Sequence, residues 1–254
     1  MLGIGGGVFI VPALQLFPLS IEFTPQMAAG TSLTMIVFKA LSSTSGYARQ
    51  KRIDYRIGLL LATTTIPGAL VGAYLTEIIP TNVLILIFAL FLLYVASRMM
   101  FEYSLGGFKV FSRGKGWRCR LVDVDGNVFE YVANMTIGLP LSFLAGVSSG
   151  LLGIGGGALM VPILHFALCF PMHLAIATSV FTMVFTSISG VATHIYLGNV
   201  QFEYALILIV GVIFGAQIGA YISKQVSSKN LRRIFGIILV VVSFRMILKF
   251  LGYA

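Results

Sequence analysis

Long stretches of this chain carry no charge at all: none occurs from Val83 to Ala96, and none from Tyr204 to Ser223. A helix needs about 20 apolar residues to cross the hydrocarbon core of a bilayer, and these runs approach or reach that length. Only 10% of the 254 residues are charged and 58% are hydrophobic, with mean hydropathy +0.98. Soluble domains carry about 25% charged residues, so this chain cannot cover itself with a water-facing surface. The fold class is an all-α polytopic membrane protein, with the lipid bilayer as its first partner. The apolar segments continue to the C-terminus, so no cleavable signal peptide is read.

The net charge is +9. A basic soluble domain would point to nucleic acid. Here the Lys and Arg residues fall between apolar segments, where they set membrane topology instead. Cys119 and Cys169 lie far apart in segments of different kind, and form neither a metal motif nor a disulfide framework. No cofactor and no metal are expected.

The chain repeats itself. Leu2-Gly3-Ile4-Gly5-Gly6-Gly7 recurs as Leu152-Gly153-Ile154-Gly155-Gly156-Gly157, and Val11-Pro12 with Leu14 recurs as Val161-Pro162 with Leu164. Thr31-Ser32 matches Thr178-Ser179, and Gly68-Ala69 followed by Gly72-Ala73-Tyr74 matches Gly215-Ala216 followed by Gly219-Ala220-Tyr221. Arg98-Met99 matches Arg245-Met246. The offset is 150 residues at the glycines and 147 afterwards, a three-residue difference in the connector after Val-Pro. The second motif follows an apolar arm, Thr136 to Leu151, whereas the first begins at Met1. We therefore expect the first copy to lack its arm by truncation.

Each copy reads as a glycine-broken apolar segment (1–17 and 136–170) followed by three helices: 27–48 and 173–196, 57–78 and 203–225, 82–100 and 230–250. Four glycines within five residues do not continue a helix comfortably, since each costs up to about 1 kcal/mol relative to alanine. Broken backbone at membrane depth survives only where protein or a watery cavity satisfies it. The bases then select a topology. Arg49, Lys51, Arg52 and Arg56 follow the second helix of the first copy, and the matching loop, Leu197 to Gln201, has none. After the third helix the pattern reverses: Glu77 to Asn82 has no base, and Lys224, Lys229, Arg232 and Arg233 cluster in the second copy. Cytoplasmic loops carry the excess of Lys and Arg, so the two copies are expected to insert with opposite orientation. Lys249, near an external C-terminus, runs mildly against this. The organisation is a first repeat over 1–100, a hydrophilic insert over 101–135 and a second repeat over 136–254. The insert carries Lys109, Arg113, Lys115, Arg118 and Arg120, which places it in the cytoplasm. Val122 to Phe129, with Asp125-Gly126, reads as a β-hairpin turn. Its glycine comes too early for a calcium loop, and the insert is read as a structured linker.

The doubled Gly-Ile-Gly-Gly-Gly motif with a following proline carries the chemistry. Broken helices expose backbone N–H groups, and half-helix N-termini favour anions; inverted repeats with broken helices place a site between the copies near the midplane. The candidate substrate-binding residues are Gly3, Gly5, Gly6, Gly7 and Pro12 from the first copy and Gly153, Gly155, Gly156, Gly157 and Pro162 from the second. Thr31, Ser32, Thr178 and Ser179 supply hydroxyls, unless these bond their own helix backbone. Lys39, midway along an apolar helix, is a candidate counter-charge. Its counterpart is Thr186, so the repeat does not demand it. Gly68/Gly72 and the glycines at 211, 215 and 219 are packing motifs first, and His165 and His194 are read as structural. The run from Gly153 to Ala158 also fits a dinucleotide fingerprint, but no strand precedes it and no acidic residue follows at the required distance. Gly146-Val147-Ser148-Ser149-Gly150 matches Gly-x-Ser-x-Gly. The strand–turn–helix setting of a nucleophile elbow is missing, so the chain is not read as an enzyme.

Two such glycine motifs, each followed by Thr-Ser and a later Gly-Ala-x-x-Gly-Ala, resemble the TauE/SafE (sulfite exporter) family of membrane transporters. The resemblance spans the chain apart from the insert at 101–135. It implies a multi-pass cell-membrane permease for a small anion such as sulfite, an organosulfonate or a related sulfur compound. The expected function is a secondary transporter working by alternating access between two repeats. The partners it leaves open are a coupling ion (proton or sodium) and a second copy of the chain in a homodimer; no nucleic-acid partner is expected. An anion channel, an intramembrane serine hydrolase using Ser148, and a non-transporting scaffold are the alternatives.

Overall fold

The computed structural model describes residues 6–16, 23–100, 116–212 and isolated positions between 237 and 248. Gly3 and Gly5, the first fifteen residues of the insert, and the second-copy residues Gly215, Gly219, Lys224, Lys229, Arg232 and Arg233 lie outside the described residues. The elements are α1 (Gly7–Leu16), α2 (Pro25–Arg49), α3 (Tyr55–Ile78), α4 (Thr81–Met100), β1 (Trp117–Val122), β2 (Val128–Ala133), α5 (Met135–Leu152), α6 (Gly157–Pro162), α7 (Met172–Tyr196) and α8 (Phe202–Val212). Among the described residues, Tyr55–Ile78, Met135–Leu152 and His173–Tyr196 are long and apolar enough to cross a membrane. Their outer faces carry large exposed apolar side chains, including Leu59, Leu70, Leu144 and Ile188, which a lipid environment would cover.

Local chemistry sets the helix ends. Thr24 caps α2 by accepting the Met27 N–H at 3.3 Å, and Pro25 opens the helix where no N–H is needed. Asp54 caps α3 through its Oδ1, which accepts the Ile57 N–H at 3.0 Å. Asn134 caps α5. That helix ends at Gly153, which takes φ +69° as a left-handed cap.

Helices α3 and α5 run parallel and touch backbone to backbone. A Cβ added to Gly68 would lie 2.4 Å from the Phe143 carbonyl oxygen, and one on Gly72 would lie 2.1 Å from that of Val147. Gly146 and Gly150 return the contact against Thr65 and Ala69. Two small-xxx-small ridges therefore interlock, the arrangement that lets helices pack closely in lipid. α7 lies parallel to α3 and antiparallel to α2: Ser189 Oγ donates to Ile66 O at 3.0 Å, while Gly30 and Leu33 of α2 lie against His194 and Gly190 of α7.

After α5 the chain turns back. Gly153, Gly155 and Gly156 all take positive φ, +69°, +73° and +74°, which side chains with a Cβ resist. α6 and a π-helical turn at Ile163–Ala167 then return toward the start of α5, where Leu168 packs on Gly138. The antiparallel β1–β2 hairpin pairs Trp117 with Ala133 through Val122 with Val128, with Gly126 at φ +80° in the turn. It is more than a connector. Cys119, Leu121, Phe129, Tyr131 and Ala133 join one core with Ile57, Leu61, Leu164, Leu168 and Phe170.

Candidate functional site

The two glycine breaks meet in space. A Cβ on Gly7 would fall 2.3 Å from the Gly153 carbonyl oxygen and 2.8 Å from Ile154 Cα. Ser32 Oγ donates to that same carbonyl at 2.9 Å, and a Cβ on Gly153 would lie 2.4 Å from Ala29 Cα. Gly155 has the same constraint against Ile36, whose Cγ2 would be 2.7 Å from its Cβ. At Gly153 and Gly155, which also take positive φ, only glycine has both the conformation and the space; at Gly7 the constraint is space alone.

On the far side of the second break lies a small cavity of about 10 Å³, the room of a single water. Its polar lining is Thr65, Ser179, Thr182 and Thr186 with the backbone of Gly155 and Gly156; Ala145, Met160 and Met183 close it. The hydroxyls are all held. Thr186 Oγ1 donates between Thr65 Oγ1 at 2.8 Å and Thr182 O at 3.0 Å, Thr182 Oγ1 bonds Thr178 O at 3.0 Å, and Ser179 Oγ bonds Ile176 O at 2.8 Å. A hydroxyl resting on its own helix can rotate to a ligand at little cost. Beside Gly156, the fully buried Ser149 has no hydrogen-bond partner for its Oγ. The lining contains no charged side chain.

Of the residues expected at the site, Gly155, Gly156 and Ser179 line this cavity, and Gly157 is buried at the start of α6. Pro12 is buried within α1, and Pro162 ends α6 before the π turn. Gly6 lies beside Met35 and Lys39, with Lys39 Nζ 4.0 Å from where its Cβ would be. The threonines of the Thr-Ser pairs point elsewhere. Thr178 Oγ1 accepts the Asp54 N–H at 3.1 Å, and Thr31 Oγ1 accepts the Gln201 N–H at 3.1 Å. Thr65, Thr182, Thr186, Met160 and Met183 were not among the sequence candidates. The signal for Thr182 and Thr186 was present, since they follow Ser179 and each other at helical spacing along one face of α7. Ser148 Oγ bonds Leu144 O at 2.9 Å and His194 Nε2 bonds Gly150 O at 2.9 Å, so the two form no nucleophile–base pair.

The hairpin is tied to this region through Asp54. Tyr131 donates its phenol proton to Asp54 Oδ2 while Asp54 Oδ1 caps α3. Burial, reinforced by the Asp54 carboxylate, pushes the Tyr131 phenol well above its ordinary pKa and keeps it a donor. Arg52, in the loop before Asp54, clasps Asp123 at 3.0 Å and Asp125 at 3.2 Å. Burial of Asp123 would raise its pKa, but hydrogen bonds from Asn127 and Arg52 outweigh it and hold the carboxyl below the usual range.

A family model described as sulfite exporter TauE/SafE matches residues 1–246. The probable membrane transporter protein YunE of Bacillus subtilis is 34% identical, over 97% of this chain and 91% of that protein. A probable membrane transporter protein of Haemophilus influenzae is 30% identical over 98% of this chain and 92% of its own length, and one of Methanocaldococcus jannaschii is 26% identical over 98% and 90%. No solved structure matches the chain.

Proposed function

Because this chain belongs to the sulfite exporter TauE/SafE family, a family of membrane transporters and not enzymes, we propose that it is a secondary transporter. Its substrate is a small anion, such as sulfite, an organosulfonate or a related sulfur compound, moved by alternating access between two inverted repeats. The observation that carries this reading is the direct meeting of the two glycine breaks beside a charge-free, hydroxyl-lined cavity at mid-helix depth. Two further observations support the inverted arrangement. α2 and its counterpart α7 run antiparallel, and the bonds Thr178–Asp54 and Thr31–Gln201 join residues that exchange under the 147-residue offset.

In this reading the breaks at Gly3 to Gly7 and Gly153 to Gly157 cradle the anion, with Ser179 and the newly found Thr65, Thr182 and Thr186 turning hydroxyls toward it. Thr31, Thr178 and Ser32 hold the two repeats against each other, and Pro12 and Pro162 fix the return of each broken segment. The protein sits in the cell membrane with the hairpin in the cytoplasm, in line with the bases at Arg49, Lys51, Arg52 and Arg56. A cavity of about 10 Å³ is too small for any such anion, so substrate enters a second, opened conformation. The test is uptake of labelled sulfite, sulfate, organosulfonates and carboxylates into liposomes, with and without proton and sodium gradients. Saturable, competed uptake of one anion class supports the reading. Unsaturable flux would indicate a channel, and no uptake by folded protein would favour a scaffold.

A further inference from the structure

The turns that follow α2 and α7 are copies of one elbow. Under the 147-residue offset Lys51 corresponds to Gly198, Arg52 to Asn199 and Asp54 to Gln201. Lys51 and Gly198 both take left-handed backbone, at φ +53° and +75°. Asp54 and Gln201 each donate a backbone N–H to a threonine of the opposite repeat, Thr178 and Thr31, at 3.1 Å. What differs is what else holds them. At the second elbow Asn199 Nδ2 donates to Glu77 Oε1 at 2.6 Å, on the last turn of α3. The first elbow, Gln50 to Asp54, is bound at both ends by the β1–β2 hairpin.

Gln50 O accepts the Val124 N–H at 3.3 Å, Arg52 donates to Asp123 at 3.0 Å and to Asp125 at 3.2 Å, and Tyr131 donates its phenol proton to Asp54. The Asp123 side chain is wholly enclosed, and the Tyr131 ring lies against Phe170 with centroids 4.2 Å apart. A buried carboxylate stripped of its partner bears its desolvation alone, so the hold is firm. The backbone gives a reason for it. Glycine adopts the left-handed turn freely, whereas lysine must be kept there against its Cβ, and the clasped elbow is the one with the lysine.

The elbow joins two helices that meet the glycine breaks differently. On α2, Ala29 and Ser32 touch Gly153, and Met35 lies beside Gly6. On α3, Thr65 lines the cavity, and Gly68 and Gly72 interlock with α5. Among the described residues α2 and α3 make few contacts with each other, and each packs on α7. An opening of the cavity that carries α2 away from α3 on this side must bend the elbow between them.

We propose that the hairpin is a lock on one of the two elbows: by clasping Gln50, Arg52 and Asp54 it holds the protein closed on the hairpin's face, and the cavity opens there only when the clasp lets go. Arg52 and Tyr131 are positioning residues that act on the site through α2 and α3. The elbow after α7 has no such clasp in the bonds it makes, so the two directions of opening are unequal. This rests on the transporter reading, which puts the hairpin in the cytoplasm, and adds to it a control element outside the repeats.

The experiment uses the full chain with Cys119 and Cys169 replaced by serine, each variant shown by size-exclusion chromatography to be folded. A thiol at Ser179→Cys reports access to the cavity lining through its rate of reaction with a membrane-impermeant maleimide, in inside-out and right-side-out vesicles. Adding Arg52→Gln should speed labelling from the hairpin's face by at least about fivefold and slow it from the other, as a shift between two populations requires. In a second variant without the Ser179 thiol, Gln50→Cys with Val124→Cys places two thiols on residues already joined by a backbone bond, within reach of a disulfide. Oxidised, it should lose uptake of the labelled anion panel, and reductant should restore it. Unchanged labelling in the Arg52→Gln protein, a rise on both faces alike, or cross-linked protein that transports as well as its reduced form would each overturn the proposal. Labelling that shifts as expected in protein that takes up no anion of the panel would instead overturn the transporter reading and leave the lock standing.

Discussion

The hydroxyl of Thr178 accepts the backbone N–H of Asp54 at 3.1 Å, joining the second turn of α7 to the cap of α3 across 124 residues of sequence. Thr178 is completely buried, so its removal leaves the Asp54 N–H without a partner. Thr178→Val should lower stability by about 1–3 kcal/mol, the cost of an orphaned buried donor. Thermal unfolding of the detergent-solubilised protein measures this. Thr31→Val should do the same at the Gln201 end, and an unchanged melting temperature in both would remove these bonds from the account.

The hairpin clasp makes a separate prediction. Asp123 accepts from Arg52, from Asn127 Nδ2 and from the N–H groups of Asp125 and Asn127, so Asp123→Asn should open the hairpin and raise its cleavage by protease roughly fivefold. Trp117, the sole tryptophan of the chain, sits at the start of β1 and reports the change by fluorescence. The pH dependence follows from the lowered Asp123 pKa. A depressed carboxylate pKa contributes stability above its unfolded value, near 3.9, and that contribution is lost as pH falls through the folded value. The clasp should therefore stay closed at pH 5 and release only below about pH 4.

Close helix packing predicts intolerance at Gly72. A Cβ there would sit 2.1 Å from the Val147 carbonyl oxygen, and Gly72→Ala should cost about 1–3 kcal/mol, read by the same thermal assay. Gly126→Ala makes a useful contrast. Nothing lies within 4 Å of its Cβ, and only the φ of +80° resists it, at about 1–2 kcal/mol.

Gly155 combines both constraints, with φ +73° and Ile36 in the way. Gly155→Leu should abolish transport while the protein still inserts in the membrane, and Gly155→Ala should reduce it. Uptake assays with a membrane-fraction blot separate loss of function from loss of protein. Wild-type uptake in both variants would sink the cradle.

Part of the candidate site was legible in the sequence because glycine is a positional signal. The doubled Gly-Ile-Gly-Gly-Gly marks where the backbone must take positive φ, and in the second copy Gly153, Gly155 and Gly156 do so. The Thr-Ser pairs were only half readable. Neighbours on a helix face directions about 100° apart, so one member of Thr178-Ser179 can face the cavity while the other turns to α3. Sequence spacing does not say which. Thr65 was invisible because its partner, Thr186, comes from another helix 121 residues away. The hairpin's role in the core could have been found, since Cys119 and Leu121, and Phe129, Tyr131 and Ala133, alternate at the period of a half-buried strand.

The central claim is that the anion binds at the cavity beside the second glycine break. Ser179→Cys, in a chain whose native Cys119 and Cys169 are replaced by serine, places a single thiol in that lining. Its reaction with a membrane-impermeant thiol reagent, measured in liposomes with and without the transported anion, tests the claim. The account predicts labelling in the absence of the anion that saturating anion suppresses. Labelling that no transported anion slows, in protein that still transports, would contradict it.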